Sequence, residues 1–225
     1  MPGGEQTRSE TRRRRVLDAA LEVFTRDGYG DTLVDDIARA SDTSKGGVYF
    51  HFPSKQALFL SLLDEAARLL LDRAERAMAA ERDPIARGDA ALKAVLKTFG
   101  GHRKLARLLL VDALGAGHEF NAKLAELHEA FAALIRRQLD EAVALGALPP
   151  LDTEVASVAW FGAVNQVVTR WVLTGRPKRL EETYPALRAL LLHGVGGSGA
   201  PRAVARRDDG PTLAPRAGAE RQDAR

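Results

Sequence analysis

The chain has 225 residues, 45% of them hydrophobic, 28% charged and 6% aromatic. It can bury a sizeable core, filled mainly by alanine and leucine, in one or two domains. It has no cysteine, which excludes disulfides, thiolate metal sites and cysteine nucleophiles. Its 33 basic and 30 acidic side chains leave a net charge of only +3. Residues 1–15 are polar and basic with no apolar stretch, so no secretory signal is expected. No apolar run reaches the ~18 residues of a membrane helix. The composition predicts a soluble, cytosolic protein.

Residues 1–9 are expected to be a disordered arm. A first helix is expected over residues 10–27, with Val16, Ala20, Val23 and Phe24 on one face. Thr32 can cap a short second helix whose Val34, Ile37 and Ala38 share an apolar side. Asp35 and Asp36 then sit at the positive end of its dipole. Ser41, Asp42 and Thr43 form a turn in which Asp42 tolerates a left-handed backbone. Ser44 can cap a third helix over residues 45–50. That helix is weak alone, because Gly46 and Gly47 each cost roughly 1 kcal/mol against alanine. Packing through Val48 must hold it.

Ser54 can cap a long helix over residues 54–82 bearing Leu58, Phe59, Leu62, Leu63, Ala66 and Leu70. Asp83 followed by Pro84 starts another, and Gly100-Gly101 ends it. A short apolar helix is expected over residues 102–114, and a long amphipathic one over residues 118–145. Asp152 caps an almost wholly apolar helix over residues 153–174, stopped by Gly175 and Pro177. A last helix ends at His193. After that the composition shifts to Gly, Ala, Pro, Arg and Asp, and residues 194–225 read as a disordered tail. The chain is thus all-α.

The segment from Thr32 to Lys55 reads as helix, tight turn, helix and then Tyr49-Phe50-His51-Phe52. Helix-turn-helix units place their second helix in the DNA major groove. Together with Arg14 to Phe24 and Gly28-Tyr29, this run resembles the N-terminal domain of the TetR family of bacterial transcriptional repressors. Ile37-Ala38, Ser44-Lys45-Gly46, Tyr49-x-His51-Phe52 and Lys55 all stand in that family's register. The chain departs from it at Asp42-Thr43, where Gly-Val is frequent, and at Gly47, where Thr, Ala or Ser is common. The resemblance implies a helix-turn-helix DNA-binding domain over residues 10–55. A helical bundle for effector binding and dimerisation would then occupy residues 56–193.

The expected DNA contacts are Thr43, Ser44, Lys45, Gly46, Gly47, Tyr49, His51 and Lys55. Lys45 can donate to guanine O6 or N7. The glycines allow close approach of the backbone. The hydroxyl, imidazole and ammonium groups suit phosphate oxygens, and the resemblance implies phosphate contacts for Tyr49, His51 and Lys55. Phe50 and Phe52 are expected to pack. Up to Lys55 there are nine basic and nine acidic residues, so binding must rest on charge distribution. Arg8 and Arg12 to Arg15 form a cluster that can reach phosphate or a minor groove, or simply be solvated.

In the second half, the resemblance implies that the last two helices pair with those of a second subunit. Val164, Val168, Trp171, Leu187, Leu190 and Leu191 are the expected seam. A two-fold dimer sets its recognition helices about 34–36 Å apart or somewhat more, and calls for an inverted-repeat operator. An apolar cavity with a few polar groups is the usual small-molecule site. Phe120, His128, Phe131, Trp160, Phe161 and Asn165 are its expected lining. The effector would be hydrophobic, such as a fatty acyl derivative or an aromatic compound.

No catalytic residue, metal site or cofactor is expected. The five histidines lack metal-ligand spacing, and there is no GxSxG, P-loop or GxGxxG after a strand. The competing reading is a DNA-binding architectural protein with no effector, which would bind all sequences weakly with a steep salt dependence. A helical enzyme ranks behind both.

Overall fold

The computed structural model describes residues 3–194, with side chains from Arg8 onward; residues 195–225 of the tail expected over 194–225 lie outside the described residues. Ten α-helices follow one another, with no strand among the described residues. The first, α1 (Gly3–Asp31), begins before the expected residue 10, so the backbone of residues 3–9 continues a helix instead of forming an arm. No proline or glycine interrupts residues 5–27, and nothing there breaks the helix. Its exit is a kink at Gly28, whose φ of 81° favours glycine.

Helices α2 (Val34–Ala40) and α3 (Lys45–His51) complete a three-helix unit with α1. Val16, Phe24, Ile37, Val48 and Phe52 are buried at its centre. The turn between α2 and α3 turns on Asp42, which adopts φ 51°. Ser44 caps α3 by accepting from Gly47 N at 3.0 Å. Thr32 is not the cap of α2. It is 1% exposed and donates its hydroxyl to Gly28 O at 2.6 Å, while Leu33 takes the cap position without a side-chain bond. The kink at Gly28 brings that carbonyl within reach, and Thr32 satisfies it.

Helix α4 (Lys55–Ala79) is capped by Ser54, which accepts from Ala57 N, and carries the apolar stripe into the second half of the molecule. Asp83 caps α5 (Pro84–Gly101) through Ala86 N. Next, α6 (Arg103–Arg107) runs into a π-helical turn, Leu108–Asp112, and closes with α7 (Ala113–Gly115). A short 3₁₀ turn leads into α8 (Asn121–Ala144). Asp152 caps α9 (Thr153–Thr174) through Val155 N, and Gly175, at φ 67°, ends it. Finally, α10 (Tyr184–His193) follows a 3₁₀ turn at Leu180–Thr183. Helix α4 packs on α5, and α8 packs on α9.

The two halves share one core. Phe24, Tyr29, Phe59 and Phe120 meet as an aromatic cluster, with Phe59 edge-on to both Phe24 and Phe120 at 5.0 Å. The π turn packs against α1, α4 and α9. The helix-turn-helix unit is therefore built into the body, not tethered to it.

Candidate functional site

Helix α3 stands on the surface with Lys45 and Tyr49 exposed and Val48 turned inward. Packing of Val48, not helix propensity, secures this glycine-bearing segment. A Cβ added at Gly47 would lie 2.5 Å from Thr43 Oγ1. The two departures from the family pattern are thus one adjustment: the Thr43 hydroxyl occupies the space that a larger residue at position 47 would take.

Lys45 Nζ lies 2.8 Å from Asp35 Oδ2. The hydrogen bond to Asp35, and then its charge, raise the Lys45 ammonium above its usual range. Reading a guanine requires Lys45 to swing off Asp35. Both side chains are half exposed, so the exchange costs little.

Three sequence expectations change. Lys55 donates to the carbonyls of Tyr29, Gly30 and Thr32 at 2.8, 3.2 and 3.0 Å, and lies over the Tyr29 ring. All three of its protons are used, so it closes the end of α1 and is not poised for phosphate. Phe50, expected to pack, is 79% exposed, whereas Phe52 is buried. On α3 the Val48 side faces inward, and Phe50, two positions on, faces out. The basic cluster is also largely engaged within the molecule. Arg13 and Arg14 pair with Glu65, and Arg15 reaches Ser41 O and Asp42. Arg8 and Arg12 are exposed and take no ion pair among the described residues.

His51 lies between Phe50 and Phe52, with Nε2 buried and unpartnered. Burial, reinforced by the charges of Arg12 and Arg13, holds its pKa below the ordinary value. A neutral imidazole packed in the small domain fits this environment better than a charged phosphate ligand.

The second site is a cavity of about 180 Å³ with an almost wholly apolar wall. Helices α4, α5, α8, α9 and α10 and the π turn supply that wall. His128, Phe131, Trp160, Phe161 and Asn165 all line it. Phe131 stacks on Phe161 at 5.9 Å, and His128 lies 5.0 Å from the same ring. Burial holds His128 below its ordinary pKa, so it is neutral near pH 7. Phe120 is absent from the lining. It is fully buried between Tyr29 and Phe59, because the 3₁₀ turn before α8 directs it toward α1. Gln138 also lines the cavity and was missed. Its place one heptad beyond Phe131 on the apolar stripe was the available signal.

The expected seam residues divide. Val168, Trp171 and Leu187 are buried within the subunit's own core, and Val164 and Leu191 line the cavity. Of the six, only Leu190 is an exposed apolar residue. The outward stripe of α9 is instead Val155, Val158, Ala159, Gly162 and Leu173. Ala186, Ala189 and Leu190 continue it on α10. A helix apolar all round does not reveal from sequence which side meets its own subunit.

Among the described residues no helix is long and apolar enough to cross a membrane, and no group of His, Cys, Asp or Glu could hold a metal ion.

Residues 16–62 match the model of the bacterial regulatory proteins of the tetR family. Residues 81–195 match that of the tetracyclin repressor-like C-terminal domain. The transcriptional regulator TtgR of Pseudomonas putida is 30% identical over 172 residues, covering 72% of this chain and 80% of that protein. The structure of the fatty acid degradation regulator FadR from Bacillus halodurans superposes with a TM-score of 0.77 at 25% identity, over 82% of this chain and 96% of that one. The Bacillus subtilis FadR structure, in complex with stearoyl-CoA, gives 0.77 at 22% identity over 81% and 99%, a likeness of fold. With a helix-turn-helix joined through one core to a cavity-bearing bundle, the chain belongs to the TetR family and is a DNA-binding transcriptional regulator, not an enzyme.

Proposed function

We propose that this regulator is a cytoplasmic homodimeric repressor that binds an inverted-repeat operator and releases it when a long hydrophobic effector fills the cavity. The observation that carries this reading is the wall of that cavity. Leu70, Ala74 and Met78 of the lining belong to α4, the helix that begins beside the DNA-binding unit. Leu109 and Leu110 of the π turn face the cavity, and the same turn packs on α1. A ligand that prefers one position of these elements shifts the spacing of the two α3 helices in the dimer. The exposed stripes of α9 and α10 supply the dimer seam. Direct operator contacts fall to Thr43, Ser44, Lys45, the Gly46-Gly47 backbone and Tyr49, with Phe50 beside them.

The apolar wall suits an acyl chain, and the fatty acid regulators similar in fold, one of them holding stearoyl-CoA, favour an acyl derivative. The test is fluorescence anisotropy on the DNA flanking the gene, against scrambled DNA at fixed salt, followed by titration with long-chain acyl-CoA. Binding to the flanking DNA at ~10⁻⁸ M or tighter, reversed by the acyl compound, is the expected result. Equal, weak binding to both DNAs would overturn the repressor reading, and tight binding indifferent to every apolar compound would overturn the effector.

A further inference from the structure

Among the described residues that line the cavity, Asp89 on α5 and Arg188 on α10 are the charged ones. Ile85 and Leu92 stand one turn to either side of Asp89, and Leu191 and Leu192 follow Arg188 by one turn; all four line the cavity as well. The two charged residues therefore lie on the cavity-facing stripes of their helices. They join α5 to α10 through Arg188 Nε, 2.8 Å from Asp89 Oδ1. The Arg188 side chain is also 40% exposed, so this corner is where the apolar chamber meets solvent.

The charges at this corner do not balance. Asp89 Oδ1 accepts from the Tyr184 hydroxyl and from Arg188 Nε, and Oδ2 lies 2.9 Å from Lys93 Nζ. Burial works against the Asp89 charge, but the bonds from Lys93, Tyr184 and Arg188 outweigh it and hold the carboxyl below its ordinary range. Both carboxylate oxygens are thus engaged by the protein's own donors, and a cationic ligand finds little to bind. The cations are in excess, with Lys93 and Arg188 set against the single Asp89. A guanidinium carries five N–H donors, and only Nε of Arg188 is used. Nη1 and Nη2 have no hydrogen-bond partner among the described residues, and together they form the edge that takes a carboxylate or phosphate through two parallel bonds.

We propose that this corner is the head-group site of the effector: the apolar chain fills the cavity and ends in an oxyanion, held by the Nη edge of Arg188 with Lys93 as the second positive charge. Asp89 holds the two cations together in the free protein. A head group at the solvent boundary keeps part of its hydration, so the ligand's charge is not buried in the apolar chamber. The inference rests on the cavity being the effector site. It sharpens that reading from hydrophobic to hydrophobic with one anionic end.

The probes are decanoate and decyl phosphate, with decanol as the uncharged control of the same chain. Binding of each to the full chain is measured by calorimetry at neutral pH. At least one of the two anions is expected to bind about tenfold or more tightly than decanol, as a charge-assisted hydrogen bond at a part-exposed site should give. Preference for decanoate assigns the head to a free carboxylate, and preference for decyl phosphate to a phosphoryl group. Arg188→Met, which keeps the apolar stem, and Arg188→Gln should each bring the preferred anion to within about threefold of decanol. Decanol itself should keep its affinity to within about twofold in both variants, which shows that the cavity is intact, because its chain meets only the apolar wall. Equal binding of decanol and both anions, or an anion preference that both variants retain, would overturn the head-group inference alone. Failure of all three probes and of long-chain acyl-CoA to bind would overturn the cavity as effector site, and the inference with it.

Discussion

Tyr29 and Phe120 meet edge to face, with ring centroids 4.8 Å apart and planes at 76°. One follows the kink that ends α1, and the other closes the turn before α8. Phe59 of α4 touches both rings. The DNA-binding unit, the connecting helix and the bundle therefore share a single aromatic joint. Any movement of the bundle that shifts Phe120 must be accommodated by Tyr29.

Phe120→Ala should cost about 3–5 kcal/mol of stability, because a fully buried ring would leave a cavity at this joint. Chemical denaturation measures it. A loss under about 1 kcal/mol would mean that the two halves do not depend on this contact. Phe120→Leu should retain most of the stability and separate folding from coupling, read as effector-induced loss of operator affinity.

Lys45→Ala should lower the ratio of operator to random-sequence affinity by about tenfold or more, since Lys45 is the side chain on α3 suited to guanine. Asp35→Asn removes its partner in the free protein and should leave that ratio intact or raise it. Parallel anisotropy titrations on both DNAs decide the matter; equal loss on the two DNAs for Lys45→Ala would reduce the residue to a general positive charge.

Lys55→Met should destabilise the protein by about 1–3 kcal/mol through loss of its bonds to the three carbonyls. The slope of log affinity against log salt should stay unchanged. A slope reduced by about one, with stability unaffected, would restore the phosphate contact expected from the family pattern.

Val158→Glu should convert the dimer to monomer and abolish operator binding, because Val158 is a large, 56% exposed member of the apolar stripe on α9. Sedimentation velocity at micromolar concentration gives the answer. A dimer that survives both Val158→Glu and Leu190→Glu would place the seam elsewhere.

His128 should titrate below its ordinary value of 6.5, because burial disfavours the imidazolium. His51 shifts in the same direction, from burial and from Arg12 and Arg13. In each case the unfolded chain takes up the proton more readily than the folded one. Their contribution to stability is therefore complete above pH 6.5 and declines as pH falls below it. NMR titration of the ring protons should show both midpoints depressed, and a bound effector, by excluding water, should push His128 lower still. A midpoint at or above 6.5 for His128 would show that its ring is solvated.

Much of the local architecture was legible in the residues. Ser44, Ser54, Asp83 and Asp152 each cap the helix that their position predicts, and Asp42 takes the left-handed turn. These signals are short-range: a side chain meets a backbone amide two or three residues away, so sequence spacing determines the geometry. The resemblance read from the sequence rests on the same local run. It carried the DNA-binding role, because helix-turn-helix residues are contiguous.

What the sequence did not determine are the relations between distant segments. Phe120 looked like a pocket residue and proved to be part of the joint with Tyr29. Lys55 looked like a phosphate ligand and proved to close the end of α1, 23 to 26 positions upstream. On α9, Val168 and Trp171 turned inward while Val158 and Leu173 faced out. Asn165 and Gln138 come to line one cavity only where α8 and α9 pack together. An apolar or polar side chain carries the same free energy of transfer whichever buried surface it finds. By itself the sequence determined the helices, the caps at Ser44, Ser54, Asp83 and Asp152, and the family. Only tertiary packing decided which surface each side of those helices meets, because burial constrains a residue's environment without naming its neighbours.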